Sequence, residues 1–261
     1  MSQTALITGA SAGIGYDLAK IFAKEGHNLV LVARNQSALE TLAEELRVRH
    51  SIEVRVIPKD LAVATSPDEI YSECRRDSIH IDMLVNNAGF GTYGFVSEAD
   101  LPSLLEMLQV NVTALTHLTK LFLQGMLERK NGKILNLAST AAFQAGPLMA
   151  VYYATKAYVL SFSEALANEL NGTGVTVTVL CPGPTRTSFQ RRAYMEDSGL
   201  GSGKTLRMQS SEEVARIGYE SMMKGKTVVI PGFMNRVLAV AAQLSPRKMA
   251  TSIARKLQEK K

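Results

Sequence analysis

The chain has 261 residues, 46% hydrophobic and 20% charged, with a formal net charge of +5, which is enough apolar material for a sizeable core. Cys74 and Cys181 stand far apart, which excludes a disulfide framework and a CxxC-type metal site. From Ser245 onward "SPRKMATSIARKLQEKK" holds six basic residues and one acid, leaving 23 of each sign in residues 1–244; the basicity belongs to this tail (245–261) and not to a DNA-reading domain.

The start "MSQTALITGA" lacks the charged beginning, long apolar stretch and cleavage site of a secretory signal. No apolar run reaches the roughly 18 residues of a membrane-spanning helix, so a cytoplasmic protein is expected. Short β-branched runs then alternate with helix-like stretches: "TALITG" and "GIGYDLAKIFAKEG", "NLVLVA" and "QSALETLAEELRVR", "EVRVIP" and "PDEIYSECRR". "DMLVNN" precedes a long stretch from Asp100 to Arg129, "GKILNLAS" precedes the run after Val151, and "GVTVTVLCPG" comes before a last strand-like "TVVIPG". Parallel strands need crossover connections, and the helices supply them. The expectation is therefore an α/β fold: one domain (1–261), a Rossmann-like doubly wound parallel seven-stranded sheet with helices on both faces. Ligands in such a sheet sit beyond the carboxyl ends of the strands, where "TGASAGIG", "NNAG", "AST" and "CPGPTRT" fall.

"TGASAGIG" (Thr8–Gly15) follows the first strand and opens the first helix. Gly9, Gly13 and Gly15 permit a tight turn and close approach of a pyrophosphate, with Ser11, Ala12 and Ile14 between them at the helix start. The spacing is GxxxGxG rather than GxGxxG. The second strand ends in Arg34, and no acid occurs between Glu25 and Glu40. An acid there would bond a free ribose, whereas a guanidinium suits a 2′-phosphate, so NADP(H) is expected over NAD(H). Asp60, followed by Leu61 after the third strand, is placed to bond an adenine edge or to cap the next helix. "GLGSGKT" (Gly199–Thr205) is near a GxxxxGK[ST] phosphate loop, but Ser198 stands where its first glycine belongs and no strand precedes it.

"VYYATKAYVL" sets Tyr152 and Tyr153 four and three residues ahead of Lys156. An unassisted tyrosine, with a pKa near about 10, is a sluggish base at neutral pH. An ammonium about 4 Å away contributes on the order of 4 kcal/mol at an effective dielectric of about 20, so Lys156 is expected to lower the pKa of its neighbour. Helical spacing leaves both tyrosines open.

Taken together, these motifs resemble the short-chain dehydrogenase/reductase family in its one-domain, YxxxK form, over nearly the whole chain. The family's TGxxxGxG is Thr8–Gly15, its NNAG is Asn86–Gly89, its mid-helix asparagine is Asn111, its serine is Ser139 and its YxxxK is Tyr152–Lys156. The resemblance implies that Tyr152 is the acid/base, Ser139 positions the substrate oxygen, Lys156 holds the nicotinamide ribose, and Asn111 anchors a water leading to Lys156. It also implies cofactor contacts at Asn87, Ala88 and Gly89, and at Pro182, Gly183, Thr185 and Thr187 of "CPGPTRT", and a homodimer or homotetramer.

Family members vary most between the sixth strand and the last helices, so 187–212 is expected to form a substrate loop that closes as a lid. Phe90, Tyr93, Phe143 and Met149 are expected to line a mostly apolar pocket, which favours a moderately hydrophobic ketone or secondary alcohol over a small charged acid. Cys181 reads as a buried small hydrophobe. In the tail, Met249, Ile253 and Leu257 recur at helical spacing, either packing a terminal helix or meeting a membrane or another subunit. Two further functional readings are an NADP(H)-sensing module without turnover and a membrane-associated reductase of acyl or lipid ketones.

Overall fold

The computed structural model describes residues 2–187, 189, 193 and 208–259. Its strands are β1 (Thr4–Thr8), β2 (Asn28–Ala33), β3 (Val54–Pro58), β4 (Met83–Asn86), β5 (Gly132–Leu137), β6 (Val175–Leu180), β7 (Thr185–Arg186), β8 (Gln209–Ser210) and β9 (Val228–Val229). Seven of them make one parallel sheet in the order β3-β2-β1-β4-β5-β6-β9, as the sequence predicts. The separate parallel pair β7-β8 is unforeseen; two residues each carry too little pattern to be seen in a sequence.

Alternation along each strand explains why β1 and β2 are apolar nearly throughout. In β1, Ala5 and Ile7 enter one core and Leu6 the other; β2 divides Leu29 and Leu31 from Val30 and Val32 in the same way. Successive side chains point to opposite faces, and here both faces are covered. On one side lie α1 (Gly13–Lys24), α2 (Gln36–His50) and α7 (Ser211–Met223), contributing Leu18, Phe22, Leu42 and Val214. On the other lie α3 (Ser66–Arg76), α5 (Leu115–Glu128) and α6 (Ala150–Glu169), contributing Ile70, Phe122 and Leu166. Strand order reverses between β1 and β4, which opens a crevice at their carboxyl ends.

The stretch from Asp100 to Arg129 is helical, but in three pieces. Asp100 caps α4 (Leu101–Leu108) by accepting a hydrogen bond from Ser103 N at 3.0 Å. A π-helical turn, Gln109–Ala114, then joins α4 to α5. Such insertions concentrate at functional sites, and Asn111 sits within this one.

The two last helices are α8 (Phe233–Leu244) and α9 (Arg247–Gln258). The apolar face expected for the tail is not the one that packs: Met249 and Ile253 are each 49% exposed, while Ala250, Ala254 and Gln258 are buried. Alanines let α9 approach closely, and Gln258 finds polar partners that no local pattern reveals. Its Nε2 donates to Tyr153 Oη at 2.9 Å, and its main-chain oxygen accepts from Tyr93 Oη at 2.8 Å. Breaking a buried bond of this kind leaves its partner unsatisfied, at about 1–3 kcal/mol. Gln258→Leu and Tyr153→Phe are each expected to lower unfolding free energy by about that amount, and the double variant by less than the sum. Urea unfolding of the four chains checks this; strict additivity would contradict the contact.

Candidate active site

The carboxyl edge of β1 and β4 is held by a reciprocal network. Thr8 Oγ1 donates to Val85 O at 3.2 Å and accepts from Asn87 N and Ala88 N, each at 3.0 Å. Asn87 Nδ2 returns to Thr8 O at 2.8 Å and to Gly9 O at 3.3 Å. The "NNAG" turn is thereby stapled to the glycine loop. Gly9 has φ +67°, and a Cβ there would lie 2.8 Å from Asn87 Nδ2; Gly13 has φ +57°, and a Cβ there would lie 3.1 Å from Thr187 Cγ2. Both positions need glycine for conformation as well as for space. Gly15 packs against Gly9 and Asn87 behind the loop and does not face the cleft.

This edge forms a cleft of about 680 Å³, within the usual size of ligand sites, about 300–1,000 Å³. One end is walled by Gly9, Ser11, Ala12, Gly13 and Ile14, then by Arg34, Asp60 and Leu61. α1 begins at Ala12 with no side-chain cap and no acid in its first turn, so its first N–H groups remain available to an anion. α2, in contrast, is capped by Asn35, whose Oδ1 accepts from Ala38 N at 3.1 Å. Exposed Arg34 lies 3.7 Å from Asp60 Oδ2, while Asp60 Oδ1 accepts from Ala62 N at 3.0 Å. Asp60 therefore closes its own turn and does not cap α3, whose N-cap is Thr65, and it lines the cleft.

Asn87, Ala88 and Gly89 line the middle of the cleft, and Pro182, Gly183, Thr185 and Thr187 line its opposite side. Ser139, Tyr152 and Lys156 meet between them. Ser139 caps the short 3₁₀ turn Thr140–Phe143 through Ala141 N at 3.1 Å. Lys156, on α6 one turn after Tyr152, is buried and donates to Leu137 O at 2.7 Å, with Nζ 5.7 Å from the centre of the Tyr152 ring.

Asn111 stands behind the cleft wall. Its Nδ2 donates to Phe90 O at 2.9 Å and to Thr155 Oγ1 at 3.1 Å, and its Oδ1 accepts from Phe90 N at 3.1 Å. Both amide hydrogens are thus spent on protein, and the side chain acts as a clamp on the segment after β4. Gly89 lies against it: a Cβ there would be 3.0 Å from Asn111 Oδ1 and 3.4 Å from Lys156 Nζ.

The expected lowering of the tyrosine pKa is reversed. Burial pushes Tyr152 up to about 12, against a smaller opposite effect of its hydrogen bond with Ser139. Burial also brings Lys156 down to about 8. The spacing places an ammonium by the ring, but the loss of water around the phenol sets the direction. Cys181 is likewise raised to about 12 by burial and is inert as a nucleophile.

Of the four expected pocket residues, Phe90 and Met149 line the cleft. Tyr93 and Phe143 do not: Tyr93 sends its hydroxyl to Gln258 O, and Phe143 packs against the cluster of Leu115, Val159 and Cys181. Val110, Glu106 and Phe189 are additional wall residues. The expected substrate loop, 187–212, is described only at 187, 189, 193 and 208–212; Gly199–Thr205 lies outside the described residues.

Residues that the sequence reading missed hold the site from behind. Asn86 Nδ2 donates to Thr119 Oγ1 at 3.0 Å and to Asn136 Oδ1 at 2.9 Å, and Asn136 Nδ2 donates to Ser163 Oγ at 2.9 Å. The signal for Asn136 is present in "KILNLA", where a polar residue interrupts a buried apolar run. Asn235 presses on Gly183, where a Cβ would lie 2.5 Å from its Oδ1. It also donates to Pro231 O at 2.7 Å and Gln209 Oε1 at 3.1 Å.

Comparison with known proteins agrees with this geometry. A family model described as short chain dehydrogenase matches residues 3–197. A putative ketoacyl reductase of Streptomyces coelicolor is 37% identical over 194 residues, covering 71% of this chain and 72% of that one. Among solved structures, a short-chain dehydrogenase from Sphingobium yanoikuyae in complex with NADPH is similar with a TM-score of 0.82 at 32% identity, covering 92% of each chain. A bulky-bulky ketone specific alcohol dehydrogenase from Comamonas testosteroni has a TM-score of 0.78 at 31% identity, again covering 92% of each chain.

Buried Lys156 gives the site a pH signature in stability. Between about 8 and its usual 10.5, the unfolded chain keeps a proton that the folded chain has released, so this residue makes stability rise with pH across that window. Relative to the parent, Lys156→Met is expected to be most favoured near neutral pH and to lose on the order of 3 kcal/mol of that advantage by the top of the window. Urea unfolding at several pH values measures it, and a difference that does not vary with pH would contradict the burial.

Proposed function

The chain belongs to the short-chain dehydrogenase/reductase family of oxidoreductases, and we propose that within it this protein is an NADP(H)-dependent carbonyl reductase interconverting a moderately hydrophobic ketone or aldehyde and its alcohol. One observation carries the reading: Ser139, Tyr152 and Lys156 meet on the wall of the same cleft whose far end holds the uncapped start of α1 and Arg34. In this reading the described elements act as one domain, and exposed Leu101, Leu105 and Leu108 along α4 support self-association into a homodimer or homotetramer.

The residues present fit a dinucleotide. A Cβ at Gly9 would press on Asn87 and one at Gly13 on Thr187, both on the cleft wall, the first turn of α1 offers N–H groups to a pyrophosphate, and among the described residues Arg34 is held only by a long, exposed ion pair, which leaves its fork open to a 2′-phosphate. The NADPH complex of the Sphingobium relative supports the same choice. Thr185, Thr187, Asn87 and Lys156 would hold the nicotinamide end. When bound, the reduced cofactor supplies hydride to the carbonyl carbon.

The chain's own residues do the rest. Ser139 and Tyr152, which share the cleft wall, offer two hydroxyls to the carbonyl oxygen, and Tyr152 gives up its proton as negative charge develops there. With its pKa near 12, Tyr152 is protonated at neutral pH, which suits it to act as an acid, in the direction of reduction. Lys156 keeps positive charge beneath the ring, and Asn111 fixes the segment that carries Gly89 and Phe90. Phe90, Val110, Met149 and Phe189 present apolar surface to the substrate, while Glu106 at the wall disfavours a carboxylate. The bulky-bulky ketone specificity of the Comamonas relative is in keeping with such a pocket.

Tyr152→Phe is expected to lower kcat for ketone reduction by roughly a hundredfold or more, with NADPH binding, followed by reduced-nicotinamide fluorescence, nearly unchanged. Full turnover would remove Tyr152 from the mechanism. Arg34→Asp is expected to weaken NADPH by roughly tenfold to a hundredfold and NADH far less; equal loss for both would contradict the 2′-phosphate assignment.

A further inference from the structure

The last two helices carry a face that the sheet does not use. α8 buries only Ala239, with Asn235 and Ala242 half-buried, and leaves Phe233 80%, Met234 59% and Leu244 82% exposed. α9 follows after Ser245 and Pro246, with Met249 and Ile253 exposed on the side away from Ala250, Ala254 and Gln258. So many large apolar side chains on one consecutive segment mark an interaction surface.

Charge on this segment has a single sign. Between Glu220 and Glu259 the chain has no acidic residue and seven lysines and arginines. Arg236, Arg247, Lys248 and Lys256 are exposed, and none forms an ion pair among the described residues. A second copy docked through the same face would set these cations against their own equivalents, since a two-fold interface pairs a patch with itself. An anionic partner with an apolar layer beneath its charges matches both features. Each helix has 12 residues, too short to cross the roughly 30 Å core of a bilayer but able to lie in its interface. No helix among the described residues is long and apolar enough to span.

We propose that the α8–α9 face docks on the surface of an anionic phospholipid bilayer. Phe233, Met234, Leu244 and Ile253 enter the boundary between headgroups and acyl chains, and the lysines and arginines pair with lipid phosphates. The buried side of α9 is the one bonded to Tyr153 and Tyr93, so the helix that meets lipid also buttresses the cleft wall. The inference stands apart from the catalytic reading and needs no turnover to be tested.

Flotation of the full chain with vesicles of phosphatidylcholine alone, and of phosphatidylcholine and phosphatidylglycerol in equal parts, is the experiment. Binding to the mixed vesicles and little to the neutral ones is expected, with Lys248→Gln and Lys256→Gln each lowering it about fivefold. Phe233→Ser combined with Leu244→Ser is expected to lower it by roughly tenfold or more, with the melting temperature unchanged because both positions are exposed. Absence of flotation, equal binding to both vesicles, or indifference to all four substitutions would overturn the proposal. So would self-association in sedimentation velocity that the serine pair abolishes while no vesicle binding occurs, since the face would then belong to a second copy.

Discussion

A cation held inside the protein is the constraint around which this site is arranged. The Lys156 ammonium is buried, and the depression of its pKa from 10.5 to about 8 corresponds to on the order of 3 kcal/mol against the charged form. Among the described residues, no carboxylate pairs with it. It is held by the Leu137 carbonyl and the face of Tyr152, partners that tolerate a charge without quenching it. A strong ion pair would fix the lysine and cancel its field, which a carbonyl and a ring leave in place. Gly89 follows from the same constraint, because any side chain there would press on Asn111 and Lys156 together.

Keeping such a group in place requires a rigid edge, and polar ladders supply it. Asn86 and Asn87 are neighbours that point to opposite sides, one toward Thr119 and Asn136, the other toward the glycine loop. Each bond contributes only about 0.5–1.5 kcal/mol net, but leaving one buried partner unmet costs about 1–3 kcal/mol. The ladders therefore specify one arrangement more than they add stability. From Asn86 the chain of bonds runs through Asn136 to Ser163 and then to Val159 O on α6, the helix that carries Tyr152 and Lys156. Sheet and α6 are thus registered to one another by side chains outside the cleft lining.

Much of this was legible in the sequence, for a physical reason. Strands buried on both faces produce apolar runs, so β1 and β2 stand out most, and the loop after β1 carries Gly9 and Gly13, whose φ values of +67° and +57° few other residues adopt. The direction of the Tyr152 pKa was not legible: spacing along a helix tells which side chains are neighbours, but desolvation depends on everything else that surrounds them. The tail misled for a related reason. Met249, Ile253 and Leu257 have the right period, yet two alanines pack closer, and the partners of Gln258 lie 105 and 165 residues away. Asn235 is of the same kind, since its pressure on Gly183 joins segments that share no local pattern. Long-range polar contacts of this sort leave no periodic trace in a single chain.

In the proposed function, hydride passes directly to a carbonyl carbon at the Ser139–Tyr152–Lys156 wall. The most direct measurement is incubation of the purified protein with an apolar ketone and NADPH carrying deuterium at both hydrogens of the reduced nicotinamide carbon, followed by mass spectrometry and NMR of the alcohol. A single deuterium on the carbinol carbon is the predicted result. Alcohol with hydrogen from solvent at that carbon, or no alcohol from any ketone despite bound NADPH, would contradict it.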